Sequence, residues 1–115
     1  MLKKVLVVED VVNLHKAWHL LLEDRVQIIS ALTVEEAEEK FAANPDIVAI
    51  AMDACVPGNS INTIPLVQKI RATFLGPIIA ISSSLEYQEV LIKAGCSHQS
   101  TKAGMPEKLI GILGI

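Results

Sequence analysis

Aromatic residues make up only 3% of the 115-residue chain, with one Trp, one Tyr and two Phe. The core must therefore be aliphatic, which suits strands buried on both faces of a parallel sheet. Cysteine is also scarce. Cys55 and Cys96 form no CxxC pair and no metal-type cluster with histidine. A disulfide framework is therefore not expected, and two small buried thiols are. No apolar stretch reaches the ~18 residues that a membrane span needs. The start, Met1-Leu2-Lys3-Lys4, is charged, and the apolar run behind it is broken at once by Glu9 and Asp10. That is not the pattern of a signal peptide, so a cytoplasmic protein is expected. There is no arginine run or basic patch, and the net charge is -3 with a pI of about 5.5. Direct nucleic-acid binding and membrane association are not expected.

What remains is a chain with 51% hydrophobic residues and a mean hydropathy of +0.45. Its length suits a single domain over 1–115 with one core. The first apolar run, Val5-Leu6-Val7-Val8, reads as a strand buried on both faces and ends in the doublet Glu9-Asp10. Two adjacent carboxylates at the end of a buried strand need compensation. A hard divalent cation such as Mg2+ prefers oxygen ligands, and open α/β sheets place their ligands at the carboxyl ends of their strands.

The rest of the chain alternates strand with helix. Asn13 is the candidate cap of a helix over 14–23, with Leu14, Trp18, Leu21 and Leu22 as its apolar face. His15 and His19 lie four apart on it. With no third ligand evident, they read as two imidazoles on the helix surface. Val26 to Ser30 forms a second strand. Thr33 and Glu36 make a capping box for a helix that runs to Ala43 and ends at Asn44-Pro45. A third strand over 47–52 ends at Asp53. Asn62 or Thr63 caps the next helix, with Pro65 in its first turn. Ile78 to Ile81 is a fourth strand that ends at Ser82. Ser83 and Glu86 suggest a second capping box for a helix over 85–94, with Gly95 as its terminator. A short polar strand over 97–101 precedes Lys102, and Pro106 opens a last helix to Leu113. Strict alternation with short connections predicts an α/β fold: a parallel sheet covered by helices on both faces.

Four strands thus end in chemistry, at Glu9-Asp10, Asp53, Ser82 and Lys102, and a parallel sheet brings those ends to one edge. With these residues in place the sequence resembles the receiver domain of two-component response regulators. The resemblance rests on Val-Val-Glu9-Asp10, Asp53-Ala-Cys-Val-Pro57-Gly58, Pro77-Ile-Ile-Ala-Ile-Ser82 and Lys102. It implies a flavodoxin-like five-stranded fold with strand order 2-1-3-4-5. It implies that Asp53 accepts a phosphoryl group from a histidine kinase or phosphotransfer protein. Mg2+ would be held by Glu9, Asp10, Asp53 and the backbone carbonyl of Cys55. Ser82 would bond a phosphoryl oxygen, and Lys102 would pair with the phosphate. It further implies a signalling module that acts on a downstream protein partner, not an enzyme with turnover of its own.

Three departures from the family pattern bear on function. Gln99 stands where receivers usually carry Tyr or Phe, so the usual aromatic switch is not expected, and a receiver-like binding module without phosphorylation-dependent switching is the alternative. Ala103 replaces the proline that usually follows the lysine. A non-proline cis bond there would cost about 2.5–4 kcal/mol, and a trans bond would be expected to move the ammonium. The loop after Asp53 is longer than the common pattern. A small Mg2+-dependent phosphohydrolase would share the nucleophile, but such enzymes place a second acid/base carboxylate where this chain has Cys55.

Overall fold

The computed structural model describes residues 2–115; Met1, part of the charged start, lies outside the described residues. The elements alternate throughout: β1 (Lys3–Val8), α1 (Val12–Leu22), β2 (Val26–Ala31), α2 (Val34–Ala43), β3 (Ile47–Asp53), α3 (Ile64–Arg71), β4 (Ile78–Ile81), α4 (Leu85–Ala94), β5 (His98–Ser100) and α5 (Met105–Leu113). All strand pairs are parallel, and the sheet order is β2-β1-β3-β4-β5. This is the flavodoxin-like arrangement expected from the sequence.

The unbroken apolar runs are explained by a sheet with helices on both sides. Side chains alternate across a strand, so β1 sends Leu6 and Val8 to one face and Val5 and Val7 to the other. On the first face Ile50, Met52, Ile78 and Ala80 meet Leu66, Val67 and Ile70 of α3, Leu91 of α4 and Ala37 of α2. On the second, Ala49, Ala51, Ile79 and Ile81 meet Trp18 and Leu22 of α1 and Met105 and Leu109 of α5. Each core aliphatic side chain removed from water contributes about 1.5–3 kcal/mol.

The helix starts differ from expectation in an informative way. Asn13 does not cap α1. The capping position is Val11, which has no side-chain cap, and the Glu9 carboxylate accepts the Val11 N–H instead, at 3.1 Å. The carboxylate oxygen two residues upstream satisfies the free N–H at the helix start, so no local side-chain cap is needed. The buried face of α1 is His15, Trp18 and Leu22, and Leu21 is exposed. For α4 the capping residue is Ser84, one position later than Ser83. Its hydroxyl accepts the Tyr87 N–H at 3.3 Å. At α2 the expected Thr33 cap forms, its hydroxyl accepting the Glu36 N–H at 3.1 Å. Glu36 reaches back to the Leu32 N–H at 3.1 Å. Thr33→Ala should therefore destabilise the protein by about 1 kcal/mol, to be read as a shifted denaturation midpoint with an unchanged slope.

Gly95 ends α4 at φ +139°, a conformation that L side chains rarely adopt, with the Arg71 side chain 3.3 Å from where a Cβ would lie. Arg71 donates from there to the carbonyls of Gly95, Phe74 and Gly76 and fixes the end of the sheet opposite the acidic doublet.

Candidate functional site

Strand register builds the site. Val8 lies beside Met52, Asp53 beside Ile81, and Ile81 beside Ser100. The residues that follow, Glu9, Asp10, Ser82 and Lys102, therefore emerge along one edge with Asp53. One carboxylate oxygen from each of Glu9, Asp10 and Asp53 lies within 4.8 Å of the others. An open cleft of about 350 Å3 runs over Asp10 and Asp53, lined also by Cys55, Ser82, Tyr87 and Lys102 among others.

Lys102 is the internal cation of this cluster. Its Nζ lies 2.9 Å from Glu9 Oε1 and 3.2 Å from Asp53 Oδ2. The Lys102–Ala103 bond is trans, and the ammonium reaches both carboxylates nonetheless.

Burial decides the charge states. Glu9 is fully buried, and its carboxyl is pushed up to about 7. Loss of water is the main cause; Lys102 opposes it, and the charge of Asp53 adds to it. Asp53 is raised for the same first reason, against Lys102 and the Ala54 amide, whose N–H donates to Asp53 Oδ1 at 2.7 Å. Burial alone would lower Lys102, but Glu9 and Asp53 outweigh it and its ammonium is held above the usual range. Burial raises the Cys55 thiol, so it is a neutral wall of the cleft and not a nucleophile.

The residues present fit Mg2+. The donor set is all oxygen, and Mg2+ needs only one or two carboxylates beside its waters. Glu9 Oε1 is buried, and its one close polar neighbour among the described residues is the Lys102 ammonium at 2.9 Å. Three carboxylates share the one Lys102 ammonium, and a divalent cation beside them would offset the remaining negative charge.

Ser82 is buried, and its Oγ accepts the Ser84 N–H at 3.1 Å. A hydroxyl has one donor and two acceptor sites, so its proton remains available to an incoming oxyanion. The loop between β3 and α3 is tied down on either side of Gly58, which sits at φ +97°. Asn62 makes a two-way amide pair with Val56, accepting its N–H at 2.8 Å and donating to its carbonyl at 2.9 Å. Thr63 occupies the capping position of α3 without capping it. Its hydroxyl donates instead to the carbonyls of Asp53, at 2.7 Å, and Ala54, at 3.1 Å, and so positions the backbone of the central aspartate. Thr63→Val, which keeps the shape and removes this donor, should destabilise the protein by about 1–3 kcal/mol, measured by urea unfolding.

Several of these contacts had no signal in the sequence. His15 is not on the helix surface. It is buried, with Nε2 2.7 Å from the Glu9 carbonyl oxygen, and it backs the acidic doublet. Burial lowers its pKa, so it sits there as a neutral imidazole donating from Nε2. Gln99 finds a partner for its amide. It is half-buried and donates to the Gln88 side-chain oxygen at 3.1 Å.

No protein-family model and no curated protein matches the chain. Solved structures do. Vibrio cholerae chemotaxis protein CheY4 superposes over 99% of this chain and 98% of its own, with a TM-score of 0.79 at 22% identity. The BeF3-activated N-terminal receiver domain of Klebsiella pneumoniae RstA covers 96% of this chain and 95% of its own, with a TM-score of 0.73 at 20% identity. The N-terminal domain of an uncharacterized protein from Wolinella succinogenes covers 99% of this chain and 92% of its own, with a TM-score of 0.79 at 23% identity. The chain has the fold of response-regulator receiver domains.

Proposed function

We propose that this protein is a phosphoacceptor module of two-component signalling, with Asp53 as the acceptor. The observation that carries this reading is the single ammonium of Lys102 held between Glu9 and Asp53, beside a serine hydroxyl whose proton is free. A carboxylate that attacks a phosphoryl group meets repulsion between two anions, so catalysis depends mainly on positioning and charge neutralisation. Glu9, Asp10, Asp53 and the Cys55 carbonyl would hold Mg2+, whose charge would neutralise the phosphoryl oxygens.

This chain's own residues do the rest. An Asp53 oxygen forms a bond to phosphorus while the donor's bond to phosphorus breaks, and the donor leaves with the electron pair. The donor is a phosphohistidine of a kinase or phosphotransfer protein. Lys102 then exchanges a carboxylate partner for the phosphoryl group, and the Ser82 hydroxyl donates to one of its oxygens. Water later cleaves the acyl phosphate, returning Asp53 and inorganic phosphate. The protein's own chemistry is limited to these two steps, in the cytoplasm, and its output is binding to a downstream protein. Among the described residues no helix is long and apolar enough to cross a membrane.

Incubation with acetyl phosphate and Mg2+ should add the mass of one phosphoryl group, and Asp53→Asn should abolish the gain. An unchanged mass for the folded protein would reject the reading. The second reading is constitutive partner binding without a switch. It is favoured by Gln99, whose amide is already tethered to Gln88. It predicts a partner affinity that changes less than about tenfold on phosphorylation, a coupling below about 1.4 kcal/mol.

A further inference from the structure

Gln88 is a buried primary amide on α4, 6% exposed, and neither the fold nor the acceptor chemistry described above requires it there. An apolar residue would pack at such a position without the cost of burying an amide. Its Nε2 donates to the Ser82 carbonyl at 2.8 Å, and its Oε1 accepts from Gln99 Nε2 at 3.1 Å. The two amides thus run in one direction, each donating toward Ser82. A carboxylate at either position could not reproduce that direction, because a carboxylate only accepts.

Ser82 lies one residue beyond β4, where the sheet no longer takes its carbonyl. All three of its polar groups are nevertheless held. Its N–H donates to the Ser100 carbonyl at 3.3 Å, its Oγ accepts from Ser84, and its carbonyl accepts from Gln88. A trans peptide points its carbonyl and N–H in opposite directions. Pinning the Ser82 carbonyl to α4 therefore turns the Ser83 N–H away from α4. Ser83 lines the cleft over Asp53, and its N–H has no partner among the described residues. The Gln88 backbone N–H also bonds the Ser84 carbonyl, at 3.0 Å. That second bond is the first helical bond of α4, so the side-chain amide is what Gln88 adds to the Ser82–Ser84 turn.

We propose that Gln88 is a positioning residue for the phosphoacceptor site. Its side-chain amide fixes the Ser82 peptide so that the Ser82 hydroxyl and the Ser83 N–H are set toward a tetrahedral oxyanion on Asp53, and Gln99 buttresses it from β5. This inference rests on the phosphoacceptor reading and adds to it a residue that touches neither phosphate nor metal.

The test compares two affinities in one protein. Beryllofluoride at saturating Mg2+ reads the oxyanion site, and Mg2+ alone reads Glu9, Asp10 and Asp53, with none of which Gln88 shares a hydrogen bond. In Gln88→Met the beryllofluoride affinity should fall on the order of tenfold while the Mg2+ affinity stays at the wild-type value. A role confined to stability would change neither or weaken both, and either result overturns the proposal. If Gln88→Met does not fold, the wild-type protein decides. The Gln88 side-chain amide resonances should shift when beryllofluoride is added to the Mg2+-loaded protein, and unmoved resonances overturn the proposal. A wild type that binds no beryllofluoride removes the phosphoacceptor reading and this inference with it. Wild-type binding that Gln88→Met leaves unchanged removes this inference alone.

Discussion

Lys102→Met should destabilise the metal-free protein by about 2–3 kcal/mol at pH 8 and by much less at pH 5. Among the described residues the ammonium is the one cation within reach of both Glu9 and Asp53, at 2.9 and 3.2 Å. Taking it away leaves two buried carboxylates facing each other with half-buried Asp10 nearby, and breaking one side of a buried ion pair leaves an uncompensated charge. The pH dependence follows from Glu9. Its carboxyl is raised to about 7, so at pH 5 it is already protonated in the fold and needs no cation. Mg2+ should restore the variant at pH 8 more than it stabilises the wild type, because Glu9, Asp10 and Asp53, which would hold it, then have no ammonium to offset their charge. Ligand at a hundred times its Kd supplies about 2.7 kcal/mol. Urea unfolding at the two pH values, with and without Mg2+, measures all four quantities. An equal loss at both pH values would show that Lys102 acts through packing and not through charge.

Glu9→Gln should have the opposite effect on the metal-free fold. A carboxyl that titrates near 4.5 in the unfolded chain and near 7 in the fold binds more protons folded than unfolded between those values. Stability then falls as pH rises from about 4.5 through 7, and levels off above. The shift corresponds to about 3 kcal/mol over that window. Glutamine keeps the shape and removes the ionisation, so most of the slope should vanish. Asp53, whose carboxyl is raised in the same direction, leaves a residual slope. The variant should therefore be more stable than the wild type by about 1–3 kcal/mol at pH 8 and nearly equal to it at pH 4. Its Mg2+ affinity should fall at least about tenfold, since a charged ligand has been lost. A wild-type stability that rises between pH 4.5 and 7 would contradict the burial account of Glu9.

The parts of this molecule that were legible in the sequence are those set by short-range patterns. The runs Val5–Val8, 47–52 and 78–81 announce buried parallel strands because helices on both faces leave no polar side. Once those strands are parallel, their last residues must share an edge, which brings Glu9, Asp10, Asp53, Ser82 and Lys102 together. What was hidden depends on contacts between distant segments. Asn13 loses its capping role to Glu9 because the chain turns the carboxylate back onto Val11. His15 is buried because α1 lays it against the end of β1, while Leu21, with the more apolar side chain, faces water. Gln99 read only as a missing aromatic ring, because its partner, Gln88, lies on another element. Thr63 read as a helix cap, but its hydroxyl turns to the β3 end that carries Asp53.

The central claim, that Asp53 is the phosphoryl acceptor, is tested most directly by locating the modification. The protein is treated with acetyl phosphate and Mg2+, reduced with borohydride, which converts an aspartyl phosphate to homoserine, and mapped by peptide mass spectrometry. The predicted result is homoserine at position 53 and nowhere else, dependent on Mg2+ and reduced in Lys102→Met. Homoserine at another carboxylate, or none in a protein shown to be folded, would contradict it.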